Sequence, residues 1–169
     1  MSEPHVTVAT TATGQTVRVL DDLVTFALSG SQTAGAFTLL FDRVLPGGAV
    51  PLHAQTGQET FILIEGQLEF SVQEDGEGQV SSFTAERGTV VHVPEGVPHS
   101  YTNPTASPAL MFVLFTPAGK TRQFFERLGV PVADPANPPP FVMPEPDALA
   151  AIFAEFEVRL APPPARGNA

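Results

Sequence analysis

The chain is built from short hydrophobic runs separated by turn residues. Between Thr16 and Thr116, segments rich in Val, Phe, Thr, Ile and Leu alternate with clusters of Gly, Pro, Asp and Ser. The segments are TVRVL, LVTFAL, AFTLLFDRVL, ETFILIE, QLEFSVQ, VSSFTA, TVVHV, HSYTN and ALMFVLFT. Many short strands joined by turns are typical of a sandwich or barrel rather than of repeated βαβ units. The pattern therefore predicts an all-β body.

Two short helices are predicted after this body. Around residues 120–128 the alternation is lost, and apolar side chains take i, i+1, i+4 spacing until Gly129 closes the helix. In the second helix Asp147 is the predicted cap and Pro162–Pro164 the stop. Its shared apolar face comprises Leu149, Ile152, Phe153, Phe156 and Leu160. We expect this stripe to pack on the barrel or on a second subunit.

A shift in proline content divides the chain near Val130. Ten of the eighteen prolines follow that residue, and the segment PVADPANPPPFVMPEP can hold neither a helix nor a central strand. A chain of 169 residues is expected to form a single core. We expect a flexible N-terminal segment over 1–15 and a barrel that ends in the short helix over 16–130. Residues 131–169 are then a proline-rich strap with the C-terminal helix.

Composition and charge disfavour several kinds of partner. The net charge is −10 and no basic stretch offsets it, so neither nucleic acid nor an anionic membrane surface is an expected partner. Because the chain has no cysteine, disulfides and thiolate metal ligands are excluded. The N-terminus lacks a basic region followed by an apolar one, and no apolar run approaches the ~20 residues of a membrane span. We therefore expect a cytoplasmic location.

A first block of polar residues stands at the start of a predicted strand. His53 and Gln55 are two residues apart, so their side chains share a face and can converge on one point. Glu59 has the same parity as Phe61 and Leu63, on a face that is apolar further along the strand. A lone carboxylate is costly to bury there unless a positive group meets it. The first block therefore predicts a polar site inside an apolar barrel.

A second block follows a proline and glycine turn. There His99, Tyr101 and Asn103 alternate along a strand and point the same way. His92 lies on the preceding strand without a ligand partner two residues away, so we expect a hydrogen-bonded histidine at the barrel wall or surface. His5 lies in the loose terminus and receives no role. His99 is therefore the candidate ligand of this block.

The two blocks resemble the paired motifs of the cupins. The residues that match are Gly47, His53, Glu59 and Gly66 in the first motif and Gly88, Pro94, Gly96, His99 and Asn103 in the second. The flanking segments resemble single-domain bacterial cupins grouped with the quercetin dioxygenases, so the resemblance extends over residues 22–160. It implies an all-β cupin double-stranded β-helix, a jelly-roll barrel, with short C-terminal helices.

The resemblance also implies a metal site. In metal-dependent cupins the motif positions held here by His53, Glu59 and His99 bind one divalent ion together with a further histidine. That histidine is replaced by Gln55, whose side-chain oxygen is a neutral and weaker ligand. Two nitrogens and two oxygens suit Fe, Mn, Co, Ni or Zn. The alternative is a site that is only a hydrogen-bonded polar cluster.

Two functions are compatible with this site. The expected substrate pocket favours an apolar or aromatic small molecule. Its expected lining residues are Phe61, Leu63, Tyr101, Phe112 and Leu114. The same side chains could instead simply fill the interior of a small barrel. The enzyme hypothesis is a metal-dependent dioxygenase similar to the quercetin dioxygenase-like cupins. It acts on a phenolic or enolic substrate, with Glu59 as the catalytic proton acceptor. The competing hypothesis is a non-catalytic or metal-free module that binds a small molecule. Because exposed sheet edges need covering, we also expect a homodimer.

Overall fold

The computed structural model describes residues 6–74 and 78–161. Its strands are β1 (Thr16–Val19), β2 (Asp22–Leu28), β3 (Thr38–Val44), β4 (Ala49–Ala54), β5 (Gln58–Glu65), β6 (Gln67–Val72), β7 (Ser81–Glu86), β8 (Val90–Val93), β9 (His99–Thr102), β10 (Ala109–Thr116), β11 (Val130–Val132) and β12 (Arg159–Leu160). The helices are α1 (Thr121–Leu128) and α2 (Pro146–Glu155).

The strands form two antiparallel sheets, which confirms the predicted all-β jelly-roll barrel. The larger sheet has the order β11-β1-β2-β3-β10-β5-β8, and the smaller one the order β12-β4-β9-β6-β7. Alternate residues of each strand point between the sheets, as along β10, where Met111, Val113 and Phe115 are buried and their neighbours half-buried. Each large apolar side chain buried in this way stabilises the barrel by roughly 1.5–3 kcal/mol.

Helix α1 covers the predicted segment, and Gly129 closes it as predicted. Gly129 follows the helix in an extended conformation, with φ −86°, rather than in the left-handed one. The position lacks space for a side chain, because an added Cβ would lie 2.7 Å from the Phe125 carbonyl oxygen and 2.9 Å from Val17 Cβ. Gly129 therefore allows α1 to approach β1 closely.

Helix α2 is shorter than predicted at its C-terminal end. Glu145 occupies the N-cap position without a side-chain capping hydrogen bond, and Pro146 is the first helical residue, so Asp147 lies in the first turn and not at the cap. The helix ends at Glu155, and Leu160 belongs to β12 instead of the helix. Its C-terminal turn has the hydrogen bonds of a Schellman motif, because the amide of Val158 donates to the carbonyl of Phe153 (2.9 Å).

The strap is attached to the barrel at both ends. At its start, β11 pairs with β1, and Arg18 Nη1 donates a hydrogen bond to the Pro139 carbonyl oxygen (3.0 Å). At its end, β12 pairs with β4 so that Leu160 lies opposite His53. Between these points α2 packs on α1, where the ring centroid of Phe156 lies 5.5 Å from that of Phe124. The C-terminal part of the chain therefore covers one end of the barrel.

Some predictions concern residues that the structure does not describe. Residues 1–5, with His5, and the expected stop at Pro162–Pro164 lie outside the described ranges. Of the two helices between residues 6 and 161, neither is long and apolar enough to cross a membrane.

Candidate metal centre and its cavity

Three potential metal ligands meet inside one end of the barrel. His53 on β4 and His99 on β9 are direct partners across the smaller sheet, and Glu59 reaches them from β5 in the larger sheet. One ligand atom from each of the three residues lies within 4.8 Å of the others. His99 and Glu59 are buried and His53 is half-buried. The fold therefore brings the sequence-predicted imidazoles and carboxylate to one point.

Each site histidine is oriented by a backbone carbonyl two residues earlier in the chain. His53 Nδ1 lies 2.9 Å from the Pro51 oxygen, and His99 Nδ1 lies 2.9 Å from the Val97 oxygen. A carbonyl only accepts hydrogen bonds, so Nδ1 carries the proton in both rings. The Nε2 atoms are then the ones that can bind a metal ion, and a ligating histidine is usually held in this way.

Glu59 and His99 make the central contact of the site. Glu59 Oε2 lies 2.9 Å from His99 Nε2. Because His99 Nδ1 already donates to Val97, a hydrogen bond from Nε2 makes the ring a cation beside the carboxylate. Burial lowers the pKa of His99. The hydrogen bond to Glu59 and the charge of that carboxylate together raise the pKa by more, so the net shift is upward. A metal ion would replace this Nε2 proton.

His53 differs from His99 in its protonation. Burial, followed by the positive charge of His99, lowers the pKa of His53 below its ordinary value of 6.5, against the opposing effect of Glu59. His53 is therefore neutral near pH 7, the form in which an imidazole binds a metal. The ring centroids of His53 and His99 are 4.6 Å apart. Two imidazole nitrogens and one carboxylate form a donor set that fits a divalent transition metal.

Gln55 lies beside this group but contacts it as a hydrogen-bond donor. Its Nε2 donates to Glu59 Oε2 over 3.0 Å. The structure thus places Gln55 next to the predicted ligands with its amide nitrogen, not its oxygen, towards the carboxylate. As a fourth ligand it would have to turn its oxygen inward, because an amide nitrogen cannot bind a metal through a free electron pair.

A cavity of about 570 Å³ leads from this group towards the helices. His53, Gln55 and Glu59 are at its polar end. Most of its remaining wall is apolar and aromatic and comes from β10, α1 and the C-terminal part of the chain: Phe115, Phe124, Phe125, Leu128, Phe141, Met143, Leu149, Phe153, Phe156, Val158 and Leu160. Its size is in the range of cavities that hold small organic ligands.

The expected pocket residues fall into three groups. Tyr101 lines the cavity. Phe61 and Leu63 are buried in the barrel core instead, and the ring of Phe61 lies 5.8 Å from that of His99. Phe112 and Leu114 do not line the cavity, because they have the opposite parity along β10 from the buried core positions.

Two groups of residues that line the cavity were not predicted from the sequence. One is the aromatic wall of α1 and α2, which the sequence shows as apolar helix faces without indicating what they cover. The other is Asp22 on β2, whose carboxylate accepts a hydrogen bond from the Tyr101 hydroxyl (2.8 Å). Asp22 directly follows Asp21 in a turn-like DD pair, so the sequence gives no signal that it points inward.

The remaining described histidine has a separate environment. His92 is exposed on β8, and its Nδ1 lies 2.9 Å from the Thr60 hydroxyl oxygen. It points away from the barrel interior, on the opposite parity from the buried Val91 and Val93. His92 therefore serves as a matched comparison for the site histidines.

The comparison with protein families identifies the barrel. Residues 40–115 match the family described as "Cupin domain". Together with the two antiparallel sheets, this match shows that the barrel has the cupin jelly-roll fold. A comparison with curated proteins gave no match.

Solved structures with this fold include enzymes and a protein complex. The oxalate decarboxylase from Bacillus subtilis at pH 4.6 is 17% identical over 68% of this chain and 31% of its own, with a TM-score of 0.57. An oxalate oxidase is 21% identical over 70% of this chain and 59% of its own, with a TM-score of 0.51. Drosophila melanogaster CENP-C bound to CAL1 is 14% identical over 64% of this chain and 85% of its own, with a TM-score of 0.56.

These similarities are informative about the fold alone. The matched region spans only 31% of the decarboxylase chains from Bacillus subtilis and Lactobacillus farciminis. The same barrel occurs in enzymes and in a protein described in complex with another protein, so function has to be argued from the site.

Proposed function

We propose that the chain is a metal-dependent oxidoreductase of the dioxygenase type that acts on a small phenolic or enolic substrate. The observation that carries this proposal is the convergence of His53, Glu59 and His99 at the polar end of an aromatic cavity. Two histidines and one carboxylate leave open coordination positions for substrate and dioxygen. This reaction type also agrees with the sequence resemblance to the quercetin dioxygenase-like cupins.

The chemistry of the site residues fits this reaction class. A divalent ion supplies Lewis acidity, which lowers the pKa of a phenol or enol hydroxyl. Glu59 is the carboxylate placed to accept the proton that this hydroxyl releases. The apolar wall excludes water from the activated substrate. Both atoms of dioxygen enter the product, so the reaction needs no external reductant.

A metal-free module that binds a small molecule is the second candidate. The contact between Gln55 and Glu59 favours it, because the amide occupies the carboxylate oxygen that also faces His99. In this case the three polar residues form a hydrogen-bonded cluster that holds a ligand through its polar atoms. The aromatic cavity is common to both candidates.

Elemental analysis of purified wild type and Gln55→His separates the two candidates. The enzyme proposal predicts close to one equivalent of a divalent metal in the wild type. The binding-module proposal predicts wild-type protein without stoichiometric metal and a marked increase in Gln55→His, because a histidine restores the missing imidazole ligand. Gln58→His, an exposed position on the same strand as Glu59, is the control for a histidine added nearby.

Oxygen consumption tests the reaction itself. Protein loaded anaerobically with Fe, Mn, Co, Ni or Zn is mixed with flavonols and with simpler enediols. Uptake that requires both metal and substrate, and that is lost in Glu59→Gln, supports the dioxygenase proposal. Absence of uptake with every loaded metal contradicts it and leaves the binding module.

A further inference from the structure

The Tyr101 hydroxyl lies between two buried carboxylates behind the metal centre. It is 2.8 Å from Asp22 Oδ2 and 3.1 Å from Asp42 Oδ2. A hydroxyl has a single proton, so it donates to only one of the two carboxylates at a time. Within the described part of the chain, the other oxygens, Asp22 Oδ1 and Asp42 Oδ1, are buried without a hydrogen-bond partner. Native proteins rarely leave such atoms unpaired without a reason.

Asp22 and Asp42 differ in their relation to the cavity. Both are 4% exposed, but Asp22 lines the cavity together with His53, Glu59 and Tyr101, whereas Asp42 is not part of its wall. Asp42 lies across the β2–β3 pair from Val24, and Asp22 from Val44, so the two carboxylates are diagonal neighbours on the inner face. Asp22 is therefore the carboxylate of this pair that lines the cavity, with one oxygen, Oδ1, that has no hydrogen-bond partner.

The charges around the cavity disfavour an anionic group at this position. The acidic residues in its wall are Asp22, Glu59, Glu95, Glu155 and Glu157, and the one lysine or arginine among its lining residues is the exposed Lys120. A second anion near Asp22 would be repelled and left without hydrogen bonds. A group that donates hydrogen bonds would instead pair with the unpartnered carboxylate oxygen.

We propose that Asp22, oriented by Tyr101, is a second ligand-binding position in this cavity, which accepts a hydrogen bond from a hydroxyl or ammonium group of the bound small molecule. The ligand is then aromatic in its body, with a phenolic or enolic end at His53 and Glu59 and an uncharged or cationic donor at Asp22. The inference rests on the cavity being the ligand site of the proposed function, but it does not require turnover.

Calorimetric binding of three related catechols tests the inference. The probes are 4-(2-hydroxyethyl)catechol, 4-(2-aminoethyl)catechol and 4-(carboxymethyl)catechol, which share a catechol and differ in the group at the far end. Each is titrated into protein with the metal removed and into metal-loaded protein. At about pH 8, above the Asp22 pKa of about 7, the wild type is expected to bind the hydroxyl and ammonium probes about tenfold or more tightly than the carboxylate probe, because a hydrogen bond to a charged group is strong when buried.

Three substitutions show which carboxylate causes the preference for the hydroxyl and ammonium probes. Asp22→Asn retains the shape of the side chain but removes its charge, and it is expected to reduce the preference to about twofold or less. Asp42→Asn makes the same chemical change in the other carboxylate that faces the Tyr101 hydroxyl. Because Asp42 is not part of the cavity wall, this variant is expected to retain the wild-type preference. Glu95→Gln, an exposed carboxylate at the cavity wall, controls for the general charge of the cavity.

The outcomes separate this inference from the proposed function. An unchanged preference in Asp22→Asn, or an equal loss in Asp42→Asn, overturns the inference while the ligand site stands. If Asp22→Asn does not fold, a wild type without preference for the donor probes is the result that overturns it. If no catechol binds in either metal state, both the inference and the proposed phenolic ligand are contradicted.

Discussion

At the scale of single residues, two backbone carbonyls decide which nitrogen each site histidine offers. The oxygens of Pro51 and Val97 take the Nδ1 protons, so the Nε2 atoms of His53 and His99 are the ones left for a ligand. The sequence motif predicted which histidines meet. It could not show this tautomer, because the carbonyls belong to residues whose identity does not affect the contact.

The buried pair of Asp22 and Asp42 should make stability depend on pH. Burial, opposed by the Tyr101 hydrogen bond and assisted by the charge of Asp21, raises the pKa of Asp22 from 3.8 to about 7. Burial and then the charges of Asp22 and, more weakly, Glu59 raise the pKa of Asp42, against the Tyr101 hydrogen bond. A raised pKa means that the folded state holds its proton more tightly than the unfolded state. The contribution of Asp22 to the free energy of unfolding is then expected to fall as the pH rises from 3.8 to about 7, and Asp42 acts in the same direction.

Asp22→Asn should remove much of this penalty. At about pH 8 the free energy of unfolding is expected to rise by roughly 1–3 kcal/mol, since the amide is neutral and can donate to a neighbouring carboxylate. At about pH 4 the effect is expected to be small. Urea denaturation at both pH values measures it, with Glu69→Gln, an exposed change of the same kind on β6, as the control. Equal effects at both pH values would contradict the assignment.

At the scale of secondary-structure elements, strand pairing shows how far alternation along the sequence can place side chains on the inner face. Alternation along β5 and β9 predicted the inward orientation of Glu59 and His99, whereas β4 has a register shift between Val50 and His53. In β10 every residue from Ala109 to Phe115 is apolar, so alternation could not show which side chains face inward. The register shift between Leu110 and Met111 is a further feature that the sequence does not reveal. Phe112 and Leu114 were therefore assigned to the wrong face, and Phe115 was missed.

The end of α2 shows a second limit of sequence reasoning. The helix ends at Glu155, and two residues later Glu157 takes the left-handed conformation, with φ 56°. Glycine or asparagine usually marks this position, so a glutamate gives no stop signal. The apolar stripe thus continued in sequence towards Leu160, although the chain there turns into β12. Leu149, Phe153 and Phe156 were correctly grouped with Ile152 as an apolar face, but the surface that they cover could not be predicted.

The contact between α1 and α2 is expected to stabilise the fold measurably. Phe124 lies at its centre, with ring centroids of Phe125, Phe153 and Phe156 at 5.4, 6.5 and 5.5 Å. Phe124→Ala should lower the free energy of unfolding by roughly 1–3 kcal/mol, less than at a fully buried site, because the ring is half-buried. Chemical denaturation measures the change. Val142→Ala, 69% exposed in the strap, is the control, and equal effects of the two would contradict the packing role.

At the scale of the whole molecule, association of two barrels remains a prediction. The two sheets expose edge strands β7 and β8, on which Phe83 is 39% and Val90 60% exposed. Because uncovered edges promote pairing with another chain, we expect a homodimer. Sedimentation equilibrium should give about twice the chain mass of 17.9 kDa. A mass of one chain at micromolar concentration would contradict this expectation.

The central claim is that His53, Glu59 and His99 together hold one divalent ion. Equilibrium dialysis against Co²⁺ or Zn²⁺, followed by elemental analysis of the protein, tests it most directly. The wild type and the exposed-histidine control His92→Ala are expected to bind one ion per chain. His53→Ala and His99→Ala should bind at least about tenfold more weakly, because each removes a ligand. A wild type that binds no ion, or alanine variants that bind it equally well, would contradict the account.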